Sequence, residues 1–227
     1  MFYVKYVKRA LDFVLSLLGI VILFPFFVVF TIIGSFKMKG NPFFIQKRPG
    51  FNGKIFNMYK FRSMTEEKDE YGNYLPDSIR LTRYGKWLRG TSIDETLELI
   101  NILKGDMSFV GPRPFLIKDL VFMSEDVKLR HNVRPGLTGL AQVNGRNNML
   151  WEEKFNYDLE YIEKISFNFD LRIFIKTALK TLRIIKTDNS EIDISEDYGD
   201  YLLHTNKISF DKYKEMLQVA DKLEKSE

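Results

Sequence analysis

FVLSLLGIVILFPFFVVFTIIGSF, residues 13–36, carries no charged side chain in 24 positions. A straight helix of that length is about 36 Å long at roughly 1.5 Å per residue, enough to cross a bilayer. The run is too long for a signal peptide, and Gly34-Ser35-Phe36 before Lys37 is a poor cleavage site. Pro25 stands at its middle, between Phe24 and Phe26. Proline removes a backbone donor and clashes with the preceding turn, so a kink is expected there. Each half, about 12 residues or roughly 18 Å, reaches the bilayer midplane and no further. Lys5, Lys8 and Arg9 precede the run, and Lys37, Lys39, Lys47 and Arg48 follow it, so its flanking charge assigns no inside and outside. Two readings stay open: a kinked span, which propensity favours, and a helix that enters, bends at Pro25 and leaves on the same face.

Beyond the run, residues 43–64 read as a β-hairpin. Phe43-Phe44-Ile45 and Ile55 to Phe61 are β-prone, and Pro49-Gly50-Phe51-Asn52-Gly53 is turn chemistry. Lys60 and Arg62, two apart, are expected on one face of the second strand. Residues 65–78 read as a surface loop. Ser92-Ile93-Asp94-Glu95 matches a capping box, with Ile93, Leu97, Ile100 and Leu103 at helical spacing and Lys104-Gly105 as a stop, which predicts a helix of about 12 residues from Ser92. Gly111-Pro112-Arg113-Pro114 and Arg134-Pro135-Gly136 read as stiff loops. Further helices are expected through Trp151–Ile165, Leu171–Ile185 and Phe210–Ala220. The middle one is basic and amphipathic, which suits either a membrane interface or a core helix with a solvated face. The fold class is α+β, mostly helical with a small hairpin. Residues 1–40 form the membrane helix and its flanks, 41–190 a catalytic body, and 191–227 an acidic extension.

Composition narrows the chemistry. Of 227 residues, 45% are hydrophobic and 28% charged, which excludes wholesale disorder. The chain has no cysteine and two histidines, which excludes a disulfide scaffold, a thiolate zinc site and a cysteine nucleophile. Residues 187–227 hold 11 acidic residues and five lysines, a net −6, so the remainder of this +4 chain carries +10. A basic body suits a phosphate-rich partner.

The densest polar stretch is Arg89-Gly90-Thr91-Ser92-Ile93-Asp94-Glu95. Adjacent carboxylates on a helix point about 100° apart, so they can divide labour, one attacking phosphorus while the other binds Mg²⁺. The plainer account is that both acids favour a helix N-terminus and Glu95 completes the capping box. Arg89, Arg113, Arg134 and Arg146 each adjoin glycine or proline, and a guanidinium on a rigid turn is a fixed bidentate donor for phosphate oxygens. No Walker loop and no G-x-G-x-x-G is present. A membrane-anchored basic module that binds anionic lipid or nucleic acid without catalysis accounts for the same residues.

Seven ordered motifs then carry a resemblance. They are Lys60-Phe61-Arg62-Ser63-Met64; Asp94-Glu95; Leu103-Lys104-Gly105-Asp106-Met107-Ser108; Val110-Gly111-Pro112-Arg113-Pro114; Arg134-Pro135-Gly136-Leu137-Thr138-Gly139; Gln142-Val143-Asn144-Gly145-Arg146; and Trp151-Glu152-Glu153-Lys154-Phe155. Over roughly residues 5–186 the chain resembles the bacterial sugar transferases, or monotopic phosphoglycosyl transferases. Its length resembles the small members that start N-linked glycan assembly on bacillosamine.

The resemblance implies transfer of a sugar 1-phosphate from a UDP-sugar to undecaprenyl (polyprenyl) phosphate, with release of UMP. It implies Asp94 as the nucleophile that forms a phosphosugar intermediate and Glu95 as a Mg²⁺ ligand. Lys60, Arg62, Arg89, Arg113, Gln142 and Arg146 are the expected substrate-binding residues. It also implies that the apolar run is a re-entrant helix broken at Pro25, both termini lying on the cytoplasmic face of the inner membrane. The expected partners are the two substrates and membrane lipid, with a second copy or downstream glycosyltransferases as further candidates and no nucleic acid. The chain departs from the family pattern at Thr96-Leu97-Glu98-Leu99, where Leu-Pro-Gln-Leu is usual, at Leu140, where Trp is usual, and at Asn132, where an acid is usual. None of these is an expected catalytic position.

Overall fold

A computed structural model describes residues 2–145, 149–187 and 196–226. A π-helical turn, Tyr3–Val7, runs into α1, Lys8–Lys37, the one helix among the described residues long and apolar enough to cross a membrane. Helix α1 continues through Pro25. One of its faces packs on the body along most of its length. Near its start, Arg9 donates to the Ile102 and Leu103 carbonyls at 2.7 and 2.8 Å. Farther on, Ile20, Leu23 and Phe27 lie on Met58, Leu99, Ile102 and Met107, and Phe27 and Phe30 on Phe61, Leu88 and Leu97. The opposite face, including Leu18, Val21, Ile22, Phe24, Phe26 and Phe36, is exposed.

Strands β1 (Phe43–Pro49) and β2 (Ile55–Phe61) form the expected antiparallel hairpin, in register from Phe43↔Phe61 to Pro49↔Ile55. The first strand is longer than its apolar start suggests, because the ladder carries on through Gln46-Lys47-Arg48. Helix α2, Arg83–Gly90, was not marked by periodicity; Thr82 caps it by accepting the Gly85 N–H at 3.0 Å.

The helix expected from Ser92 divides in two. Residues Ile93–Leu97 are 3₁₀ and Glu98–Lys104 is α3, ended by Gly105 at φ 94°. The capping box is not made. Ser92 lies in the left-handed region at φ 56° and its side chain caps nothing, while Glu95 is drawn to two cations instead.

The two stretches expected as stiff loops are instead joined by a parallel pair, β3 (Ser108–Val110) and β4 (Gly136–Thr138), with Ser108↔Gly136 and Val110↔Thr138. The backbones come so close that a Cβ on Gly136 would stand 2.1 Å from the Gly111 nitrogen. Helices α4 (Leu140–Asn144), α5 (Trp151–Lys164) and α6 (Phe167–Thr187) follow. Helix α6 buries Asp170 and Ile173 and exposes Leu171, Phe174, Ile175 and Leu179. The helix is therefore apolar on its outward side as well as on the side that packs on the core. Helices α7 (Tyr198–His204) and α8 (Phe210–Ser226) lie in the acidic extension and dock on the body. The chain is thus mostly helical with two small sheets.

Candidate active site

The 3₁₀ segment carries Asp94 and Glu95 against β2, below the loop that follows β3. Asp94 is buried. Among the described residues none donates a hydrogen bond to its carboxylate. Burial, reinforced by the charge of Glu95, pushes its pKa up to about 6 against the pull of Lys60, Arg89 and Arg113. An uncommitted carboxylate beside three cations keeps its lone pairs available for bond formation.

Glu95 has the opposite environment. Lys60 Nζ and Arg113 Nη2 both donate to its Oε1, each at 2.8 Å. Burial works to raise its pKa, but the Arg113 and Lys60 charges outweigh burial and hold it well below the usual carboxylate range. Two adjacent acids are thereby set apart, one committed to cations and one free.

A third carboxylate belongs to the cluster. Glu98 Oε1 lies 3.2 Å from Lys60 Nζ, and burial raises its pKa to about 7, with the neighbouring Glu95 adding to the effect. In the sequence Glu98 stands only as a departure from the family pattern. Its spacing was the available signal, since residues three apart on a helix are neighbours.

The expected binding residues divide. Lys60 and Arg113 touch Glu95, and Arg89 acts on Asp94 while donating to Ser63 Oγ at 2.9 Å. Arg62 does not share the face of Lys60. Strand β2 ends at Phe61, and the Arg62 guanidinium turns back to the Phe43 carbonyl at 3.1 Å and pairs with Glu66. Gln142 donates to the Leu137 carbonyl at 3.3 Å and makes no contact with the acids. Arg134, on the second stiff loop, donates to the Gly105 carbonyl at 2.7 Å. Arg146 lies outside the described residues.

A cavity of about 210 Å³ opens beside Glu95. Phe109, Leu137, Phe174 and Ala178 form its apolar wall, and Ser92, Thr96, Thr138 and Thr177 its polar one. Phe174 belongs both to this cavity and to the exposed face of α6.

No three acidic, histidine or cysteine side chains converge on a metal position among the described residues. Glu95 is a sparse donor, with its Oε1 already shared by Lys60 and Arg113 and its Oε2 left over. Such a donor fits Mg²⁺, which completes its shell with phosphate oxygens and water.

The family model described as bacterial sugar transferase matches residues 3–184. The chain is 49% identical over 180 residues to the uncharacterized sugar transferase EpsL of Bacillus subtilis, covering 77% of this chain and 87% of that protein. It is 34% identical over 187 residues to the exopolysaccharide production protein ExoY of Sinorhizobium fredii, covering 75% and 83%. It is 38% identical over 183 residues to the UDP-glucose:undecaprenyl-phosphate glucose-1-phosphate transferase of Klebsiella pneumoniae, covering 76% of this chain but only 39% of that longer protein.

Proposed function

The chain belongs to the bacterial sugar transferase family, and from that premise we propose that it moves a sugar 1-phosphate from a UDP-sugar to undecaprenyl phosphate, the first step in building a surface polysaccharide. The contrast between the free Asp94 and the committed Glu95 supports this reading most directly. Both substrates are anions, so direct attack of one phosphate on the other is opposed by charge. A covalent step divides the problem. An Asp94 carboxylate oxygen bonds to the sugar-bearing phosphorus as the bond from that phosphorus to the UMP oxygen breaks. A phosphate oxygen of the lipid then attacks the same phosphorus and returns Asp94 as a carboxylate. Arg113, Lys60 and Arg89 offset charge on the phosphoryl oxygens. Glu95 is the residue that would hold Mg²⁺, which when bound would supply further neutralisation of phosphate charge.

The apolar wall beside Glu95 suits the first isoprene units of a lipid acceptor, and Phe174 links that wall to an outward apolar face. The exposed faces of α1 and α6 suit the cytoplasmic surface of an inner membrane. Contact with one body from Arg9 to Phe30 favours a re-entrant α1 over a span, because a perpendicular span would draw Lys60, Glu95 and Glu98 into hydrocarbon. Single cysteines at Lys5 and Lys39, in a chain with none of its own, read the topology. Labelling of both from the cytoplasmic side is expected, and labelling from opposite sides would restore the span.

The activity is tested by UMP release from detergent-purified protein given undecaprenyl phosphate, Mg²⁺ and a panel of UDP-sugars. Release with at least one donor is expected. Salt-sensitive nucleic-acid binding with no release from any donor would replace this reading with that of a binding module.

A further inference from the structure

The loop that carries Arg113 is gripped at both ends, and the grip at its far end comes from residues beyond the 3–184 family match. At the near end, buried Arg130 donates to the Arg113 carbonyl at 2.6 Å and pairs with Asp158 at 2.7 Å. At the far end the carboxylate of Asp119, 2% exposed, takes two backbone donors from different parts of the chain. Its Oδ2 accepts the Leu116 N–H of the loop, and its Oδ1 accepts the Tyr198 N–H of the acidic extension, both at 2.9 Å. Lys118 pairs with Asp197. Phe115 of the loop lies against Trp151 at 4.9 Å between centroids, and Trp151 lies against Tyr198 at 5.1 Å and donates to the Glu196 carbonyl at 3.2 Å. One loop residue, Arg113, makes the ion pair to Glu95; its neighbours Phe115, Leu116 and Lys118 are held directly or through Asp119 and Trp151 by residues 196–198.

We propose that the acidic C-terminal extension is a positioning element of the enzyme, a clamp whose docking through Tyr198 and Asp197 fixes the Arg113 loop over the Asp94–Glu95 pair. The extension does not touch the reacting groups. It acts through Asp119 and the Trp151 ring on the loop backbone, and so on where the guanidinium stands. Its catalytic effect rests on the transferase reading above; its hold on the loop does not.

Gly199 supplies the lever. A Cβ there would stand 2.5 Å from Cε2 of Phe122, so Gly199→Val wedges α7 off the body without altering a loop residue. Tyr198→Ala is a second, milder variant that removes the ring from Trp151. In the full chain both variants are expected to speed amide hydrogen exchange in residues 111–120 by about tenfold, the scale of one net hydrogen bond. Unchanged protection of that segment in both would overturn the proposal whether or not any UDP-sugar is turned over. Where UMP release is measurable, Gly199→Val should lower kcat/KM about tenfold in the native background and less than twofold in an Arg113→Ala background, because coupled residues do not add. An equal loss in both backgrounds would show that the extension acts elsewhere, as a general prop, and would also overturn it. Absence of UMP release from the unaltered chain would count against the transferase reading alone, since the exchange measurement still decides the clamp.

Discussion

Two clusters of buried charge are built differently. In the first, Asp170 accepts from Lys8 at 2.5 Å, Tyr3 at 2.6 Å and Tyr161 at 2.7 Å, while Asp12 accepts from Ser108 and the Phe109 N–H at 3.1 Å each. Each of these acids is met by protein donors, and the cluster ties the start of α1 to α6. In the second, Glu95 and Glu98 share Lys60, Glu95 also takes Arg113, and Asp94 is left without a donor. Burial of charge therefore does not mark a reactive centre. What separates the two is an uncommitted carboxylate, Asp94, in a cationic field, next in sequence to a Glu95 that lines a cavity.

Asp94→Asn is the strongest way to break the contrast. It should cut UMP release by at least about 10³-fold, the scale of losing a nucleophile, while circular dichroism and melting stay native. Appreciable turnover would make the second cluster as structural as the first. Asp170→Ala should do the converse: stability falls by about 3–5 kcal/mol because Lys8 is left buried and unpaired, and turnover per folded molecule is kept. Chemical denaturation alongside specific activity would show it. Arg113→Lys keeps the charge and loses the fork, so kcat/KM should fall about 50-fold with little change in melting; unchanged kinetics would remove Arg113 from the phosphate site.

Glu98→Gln gives the smallest effect and tests the surplus of carboxylate. Glu98 has its folded pKa raised to about 7, above the ordinary value of 4.5. Between those values the folded chain holds a proton that the unfolded chain has released, so stability falls as pH rises through that window. The variant should lose this slope and be more stable than the native chain at pH 8 by about 2 kcal/mol. Parallel stability profiles from pH 5 to 8 would show that Glu98 stays ionised throughout.

Short-range chemistry made much of this legible beforehand. The hairpin showed in β-prone runs around Pro49-Gly50-Phe51-Asn52-Gly53, the stop at Gly105 in its position after Lys104, and the dyad in its adjacency. What stayed hidden needed contacts distant along the chain. The capping box failed because Lys60, 35 residues away, and Arg113, 18 away, offer Glu95 stronger partners than a backbone N–H. Arg62 missed the site because the strand ended one residue before it. Glu98 stands in the sequence only as a departure from a family pattern, because its partner Lys60 lies on a distant strand. The docking of α7 and α8 rests on aromatic pairs such as Phe122 with Tyr213, which no local pattern signals.

The single-sided packing of α1 has a consequence for how the chain can be handled. Ile20, Leu23, Phe27 and Phe30 are a wall of the same core that Met58, Phe61, Leu99 and Ile102 build from the other side. The helix is masonry on that side. Cutting the chain near residue 40 to obtain a soluble fragment would strip one side from two of its hydrophobic clusters, and the apolar walls so exposed should make the fragment aggregate in water.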